Sequence, residues 1–588
     1  MDRTNDAVAD MLREFAELLA ISGGPPFKVR AYEKAMRAVQ GYPTDIGGMN
    51  EKALDTIPNV GSHIAHKIVE FLDTGSVTEL VDLRSRVPAG LRTLLTVPGL
   101  GPRRAHQVYE ELGITSLEQL LDALSEHRLR DLRGWGERSE DNLAQSIREA
   151  HAAGDRIQIG LALGLAEQVL DRLRALPQTL RACYAGSLRR MRDTIGDIDL
   201  LVASHDPETI MAALVGLPLV HRVLVHGPAK TSIVTTTGVQ VDLRVVQPEV
   251  WGAAQMYFTG SKSHNIKIRQ MAVRAGLKLS EYGLFDVETD KLIVAETEQE
   301  VYARLGLPWI PPTLREDTGE VEAALAGQLP ELVELTDIRG DLHTHTDLTD
   351  GVASLEEMVA AARARGYEYY AITDHAPLLY MQRMTREKAL AQRERIRELD
   401  RTAGIRLLHG TELNIQPDGS LDWDEEFLRG FDVVVASVHS HFRQPRDEMT
   451  RRFIRAIENP CVNIIGHPTT RIIGGRPAVD VDLDAVFEAA ARTGTALEVN
   501  SFPERLDLNG DLVARARHAG VALAIDTDAH AVPHLDNMRL GVATAQRGWA
   551  GPADVINTRS LDELRRFLAK PRAAARSPES SRIGGTTR

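Results

Sequence analysis

Asp341-Leu342-His343-Thr344-His345-Thr346, with Asp350, opens a series of histidines and acids. The series continues through Asp374-His375, Glu412, His439 and His467 and closes at Asp526-Thr527-Asp528-Ala529-His530. His343 and His345 are two positions apart, a spacing that puts both imidazoles on one face of a β-strand, and Asp528 and His530 repeat it. Apolar runs precede the clusters: Ala371-Ile372-Thr373 before Asp374, Val433-Val434-Val435 before His439, Val462 to Ile465 before His467, and Val521 to Ile525 before Asp526. Side chains at the C-terminal ends of successive strands, with helices between, are how a (β/α) barrel builds a site at its mouth. Imidazole and carboxylate together suit Zn, Mn or Fe. So much charge converging on one mouth is costly unless cations neutralise it. One histidine at a strand end is ordinarily structural; the repetition carries the metal reading.

Over roughly residues 338–535 these stretches resemble the PHP (polymerase and histidinol phosphatase) family of metallophosphoesterases. The resemblance implies as metal ligands His343, His345, Asp350, His375, Glu412, His439, His467, Asp528 and His530, with no ligand position substituted. It implies two to three divalent ions, Zn²⁺, Mn²⁺ or Fe²⁺.

Upstream lies a second acidic set. Gly186-Ser187-Leu188-Arg189-Arg190 is followed by Gly196-Asp197-Ile198-Asp199. Asp197 and Asp199 alternate along a predicted strand, and Asp242, on the predicted strand Val239-Gln240-Val241-Asp242-Leu243, completes a triad. Three converging carboxylates repel unless they hold cations, and their hard oxygens favour Mg²⁺ or Mn²⁺. Two such ions would stabilise the attacking and leaving oxygens of a nucleotidyl transfer. The Gly186-Ser187 turn offers backbone N–H and hydroxyl donors to a triphosphate, and the planar fork of Arg190 matches phosphate oxygens.

The front of the chain is predicted helical. Ile57-Pro58-Asn59-Val60-Gly61-Ser62 joins two helices through a glycine turn whose backbone N–H groups point outward, a geometry that binds phosphate. The turn recurs at Val97-Pro98-Gly99-Leu100-Gly101-Pro102, with a weaker copy at Leu132 to Glu137. Repeated helix-hairpin-helix turns of this kind grip DNA backbone without reading bases.

With Tyr257-Phe258-Thr259-Gly260-Ser261-Lys262-Ser263-His264-Asn265, residues 1–315 resemble the family X DNA polymerases of the polymerase beta type. With the PHP region behind it, the whole chain resembles a bacterial family X polymerase. That resemblance implies that Tyr257 and Phe258 line the sugar pocket, with Gly260 in the turn beside them. It implies that Asn265 meets the incoming base and Arg269 the template strand. It further implies that Lys67 forms a Schiff base with an abasic sugar, and that Lys28 and Tyr32 surround a 5′-phosphate. Met191 stands where the family usually carries glycine, and Asp193 where glutamate is common.

The expected organisation is a helical DNA-end and lyase-like domain (1–90), a second helix-hairpin-helix domain (91–150), a nucleotidyltransferase palm (151–245) and a nucleotide-selecting subdomain (246–315). A linker (316–337), a distorted (β/α) barrel of PHP type (338–570) and a disordered tail (571–588) complete it. The chain of 588 residues is ample for several cores. Its two cysteines, Cys183 and Cys461, fit no zinc or redox spacing and suit a reducing compartment. Met1 to Asp6 lacks the cationic-then-apolar order of a signal peptide, and no apolar run reaches membrane-spanning length, so a cytoplasmic protein with no membrane partner is expected.

The net charge of −14 argues against nucleic acid at face value. It counts metal-binding acids as bare charge, however, and overlooks the local basic clusters at Arg189–Arg192 and Lys262–Arg269. The expected function is a monomeric DNA-repair polymerase acting on gapped or primed DNA and dNTPs. The barrel would serve as a 3′→5′ exonuclease, with 3′-phosphatase, abasic-site endonuclease and 5′-deoxyribose phosphate lyase activities open. Two alternatives stand beside it: a barrel whose metals only stabilise a scaffold, and a small-molecule phosphatase with a degenerate DNA-binding front half.

Overall fold

The computed structural model describes residues 4–22, 24–40, 42, 44–86, 100, 102–114, 119, 120, 123, 124, 126–132, 134–136, 139–141, 143, 156–378 and 384–569. Gly99 and Gly101 of the second hairpin turn, and the tail 571–588, lie outside the described residues.

The front is helical, as expected. Helices Thr4–Ile21 and Pro26–Gln40 pack together, and Glu51–Leu54 and Ser62–Thr74 form the first hairpin. Ile57, Val60, Ile64 and Ile68, spaced to meet inside that hairpin, are all buried. Gly61 caps the second helix and is exposed, its carbonyl accepting from Ile64 and Ala65 N–H.

The palm is a five-stranded sheet in the order Arg181–Tyr184, Ile198–Ala203, Gln240–Val246, Lys230–Thr235, Val220–His226. The second and third of these run parallel, and their register sets Asp199 opposite Asp242. Alternation along the strand fixes the faces. Leu200 and Val202 enter one core under helix Ile159–Arg174, while Leu201 and Ala203 pack on Trp251 and Ala254 of helix Trp251–Thr259. Asp199 shares the second face, so the acids open towards the helix that carries Tyr257 and Phe258. Helix Lys262–Arg274, a three-stranded sheet (Leu277–Ser280, Gly283–Asp286, Leu292–Val294) and helix Glu298–Arg304 follow.

Residues 316–337, expected as a linker, are anchored at buried Glu320, Val321, Ala324 and Val333, with exposed residues between. Arg315, just before them, is fully buried against Glu298. Glu320 pairs with buried His264 at 2.7 Å, and Val333 N–H donates to Ala550.

The C-terminal sheet has seven parallel strands in chain order: Gly340–Asp341, Tyr369–Ile372, Arg406–Asn414, Val433–Ser437, Ile464–Ile465, Ala496–Asn500 and Leu523–Asp526. Thr344 and Ala529 bridge the last strand back to the first at the mouth. The strands read as apolar runs because both faces are covered: Tyr369 and Ala371 face an inner core, Tyr370 and Ile372 the outer helices. The two halves of the chain share packing, since Leu506 and Leu540 of the barrel half are buried in the palm core. Among the described residues no helix is long and apolar enough to cross a membrane.

Candidate active sites

Asp197 is exposed, Asp199 half-buried and Asp242 buried, and carboxylate oxygens of the three lie within 4.8 Å of one another. Burial, then the charges of Asp197 and Asp242, push the Asp199 carboxyl up to about 7. Burial also works against Asp242, but hydrogen bonds, first from Lys230 with Nζ at 2.6 Å, hold it below the usual range. An acid raised by its acidic neighbours fits a divalent cation among them. Gly186 starts the turn beside them with φ +57, and a Cβ there would fall 2.0 Å from an Asp199 carboxylate oxygen, so only glycine fits.

A cleft of about 770 Å³ opens on Asp197 and Asp199. Gly186, Ser187, Arg190, Tyr257, Phe258, Gly260, Asn265 and Arg269 all line it, as do Arg192 and Lys262 of the two basic clusters and Arg156, to which the sequence reading gave no role. Tyr257 and Phe258 meet edge to face at 5.2 Å, and Arg244 lies over the Phe258 ring. The Asn265 amide donates to the Tyr257 carbonyl at 2.7 Å. Arg190 donates from Nη1 to the Thr259 carbonyl and from Nε to Glu316, tying the glycine turn to the aromatic one.

In the front domain Lys67 Nζ lies 2.7 Å from Glu79 and 5.8 Å from the Phe15 ring centre. Lys28 is exposed. Tyr32 is 8% exposed and stacked on Phe15 with the rings 4.7 Å apart. Burial pushes its hydroxyl pKa up.

At the barrel mouth all nine expected ligands converge. Three overlapping groups have donor atoms within 4.8 Å: His345, Asp350, His375 and His530; His343, His345 and Asp528; His375, Glu412 and His439. His467 joins through Nε2, 3.1 Å from Glu412 Oε1, which is also 3.1 Å from His439 Nε2. The Nε2 atoms of His343, His345, His375 and His530 each lie 3.3–3.4 Å from a carboxylate oxygen. That is the separation of two donors bound to one ion with bonds of about 2.1 Å. His343 Nε2, both nitrogens of His345 and Asp350 Oδ1 are buried without a hydrogen-bond partner. Such orphaned donors, on imidazole and carboxylate, fit divalent transition metals. Burial depresses His345 to about 4, reinforced by His530 and His375, which keeps it a neutral ligand. His467 and Asp528 hold left-handed backbone, with φ +28 and +54, to aim their side chains inward.

The sequence reading missed the groups that orient these ligands. Glu498 lies 2.6 Å from His343 Nδ1 and accepts from the His467 N–H. Asn414 holds His439 Nδ1 at 2.8 Å, and the Asn500 amide donates to Asp528 at 3.1 Å. The available signal was polar residues at alternate positions in apolar strands, as in Leu497-Glu498-Val499-Asn500. Asp374, quoted beside His375, takes hydrogen bonds from Thr346, Thr349 and Gln392, bracing the mouth.

Comparison with known proteins assigns families to parts of the chain. Residues 3–77 match the helix-hairpin-helix domain family and 91–149 the SAM-like helix-hairpin-helix tandem family. Residues 254–316 match the DNA polymerase beta thumb and 341–502 the PHP domain. The chain is 38% identical over 564 residues to the DNA polymerase/3′-5′ exonuclease PolX of Bacillus subtilis, covering 95% of this chain and 98% of that protein. A probable phosphatase of Shewanella sediminis is 31% identical over 241 residues, 39% of this chain and 93% of that protein. One of Acetivibrio thermocellus is 34% identical over 201 residues, 32% of this chain and 78% of that protein.

Proposed function

The chain belongs to the bacterial family X DNA polymerases that carry a C-terminal PHP domain, and on that premise we propose that it fills short gaps in DNA and trims 3′ ends in repair. The single observation that carries the polymerase half is the register of Asp199 on Asp242, with Asp197 and Asp199 at the floor of a cleft walled by the Gly186 turn and Tyr257-Phe258. Asp197, Asp199 and Asp242 would hold Mg²⁺ or Mn²⁺, which supplies charge stabilisation to both oxygens of the displacement when bound. Ser187 and Arg190 bind the triphosphate of a dNTP. Tyr257 and Phe258 close the sugar pocket, Asn265 meets the base and Arg269 the template.

The barrel is read as the nuclease. Its nine ligands would hold two or three ions of Zn²⁺, Mn²⁺ or Fe²⁺. The phosphatase relatives, matched over 39% and 32% of this chain, support a 3′-phosphatase activity on the same ligands. Abasic-site cleavage belongs to the same phosphoester chemistry. The helix-hairpin turn at Gly61, with Gly99 and Gly101 of the second turn, grips the DNA backbone. Lys67, half-buried beside Phe15 and Glu79, is proposed as the lyase amine, with Lys28 near the 5′-phosphate. Two free cysteines among the described residues suit the cytoplasm, where the protein would act as a monomer. The test is a 5′-labelled gapped DNA with Mn²⁺. Nucleotides should give bands longer by the gap, and their omission should give shortening from the 3′ end. Absence of both products would overturn the reading.

A further inference from the structure

We propose that the barrel domain completes the polymerase's nucleotide pocket, Arg471 and Arg547 acting as positioning residues that clamp the triphosphate turn. The proposal rests on the reading of that cleft as a polymerase site. The turn runs from Gly186 to Asp193 and includes Met191 at φ +52. A side chain in left-handed backbone is strained, and such a conformation persists only where its surroundings impose it.

Within the palm, Met191 N–H donates to the Leu188 carbonyl and Arg192 N–H to the Ser187 carbonyl, and the other half of the chain adds two contacts. On one side of Met191, Arg547 Nη1 donates to the Arg190 carbonyl at 3.1 Å. On the other side, Arg471 Nη2 pairs with Asp193 Oδ2 at 2.7 Å. Met191 is therefore bracketed by two guanidinium groups from the barrel.

Both arginines are themselves fixed. Arg471 donates from Nε to the Arg505 carbonyl at 2.7 Å and from Nη2 to the Leu506 carbonyl. The Leu506 side chain is buried in the palm core, so this loop is seated against the polymerase half. Arg547 ends helix Met538–Arg547 and is nearly buried; it also donates to Glu316, the acceptor of Arg190 Nε. Gly510 lies under it, where a Cβ would come within 2.8 Å of Arg547 Cβ. The Gln158 amide donates to the Ile473 carbonyl at 2.9 Å beside the same contact.

The consequence falls on Arg190 and Arg192, which leave this turn to line the cleft. Release of either bracket frees Met191 to relax its backbone and carries both guanidinium groups off the phosphate position. Asp199 and Asp242 stand on paired strands and keep their places. Nucleotide binding should therefore suffer more than the chemical step.

The test is titration of the full chain with Mg²⁺ and a non-hydrolysable α,β-imido dNTP, alongside KM and kcat for filling a one-nucleotide gap. Arg471→Ala and Arg547→Gln are each expected to weaken binding and raise KM about ten-fold, with kcat changed much less. Asp193→Asn should match Arg471→Ala, and the two combined should be no worse than either. Arg471→Lys should recover part of the loss. Melting temperature and parental 3′→5′ shortening confirm that each variant is folded. Parental Kd and KM in both Arg471→Ala and Arg547→Gln would overturn the proposal, as would a loss confined to kcat. A parent that binds no nucleotide and extends no primer would instead sink the polymerase reading on which the proposal stands.

Discussion

Glu412 offers Oε1 at 3.1 Å to both His439 and His467 and Oε2 at 3.4 Å to His343. Burial opposes its charge, but the facing imidazoles hold it well below the usual range. A buried carboxylate so surrounded would hold metal together with imidazoles that other groups must aim. Glu498 aims His343. Glu498→Gln should therefore lower metal affinity about 10–100-fold while the fold persists, measured by chelator competition and metal content; parental affinity would remove Glu498 from that role. At the other site Asp199 has its folded pKa raised to about 7, so its charge destabilises the metal-free fold progressively as pH rises from about 4 to 7. In chelator, Asp199→Asn should melt higher than the parent at pH 8, by on the order of 1–2 kcal/mol after solvent screening. The difference should vanish near pH 4; an equal difference at both pH values would contradict the assignment. The ligands were legible in sequence because histidine and acid recur after apolar runs. Glu498 was not, because an acid in a strand declares no partner until Ala496–Asn500 is set beside His343. The stacking of Tyr32 on Phe15 was not legible either, because a tyrosine in a helix does not say whether its ring turns inward.

The strand is the element that organises both centres. Its two-residue period places Asp199 on the Trp251 side of the palm and sends Tyr369 and Tyr370 to opposite sides of the barrel wall. The turn leaving strand Arg181–Tyr184 is the counterpart, and it depends on Gly186. Gly186→Ala puts a Cβ 2.0 Å from Asp199 at φ +57 and should reduce extension at least a hundred-fold, roughly the cost of a misplaced reacting group. Shortening of DNA by the barrel should be untouched, and wild-type extension by this variant would show that the turn does not abut the triad in solution. The palm strands and four of the barrel strands were readable as apolar runs. Arg406–Asn414 and Ala496–Asn500 were not singled out, because polar residues interrupt them: His409, Thr411 and Glu412 in one, Glu498 and Asn500 in the other. Residues 316–337 read as a linker from their charges and turn residues. Four of those charges are paired, Glu316 with Arg190 and Arg547, Glu320 with His264, and Asp317 and Glu322 with Lys267; composition cannot distinguish a solvated charge from a buried pair.

Across the whole molecule, a net charge of −14 coexists with a cleft lined by Arg156, Arg190, Arg192, Lys262 and Arg269. Local fields act on phosphate, and the counterions they release set the salt dependence. Affinity for gapped DNA should thus fall steeply between low and moderate salt, by fluorescence anisotropy; a flat profile would contradict backbone binding. The two halves pack through Leu506 and Leu540, yet each keeps its own set of metal-ligating residues, and the account stands on two centres of separate chemistry in one body. The measurement that tests this most directly runs two double variants on one 5′-labelled gapped DNA with Mn²⁺, with melting temperature recorded for each. Asp197→Ala with Asp199→Ala should abolish extension and leave shortening at the parental rate. His343→Ala with His345→Ala should abolish shortening and leave extension intact or apparently increased. A folded His343/His345 variant that still shortens DNA at the parental rate, or an Asp197/Asp199 variant that still extends, would contradict it.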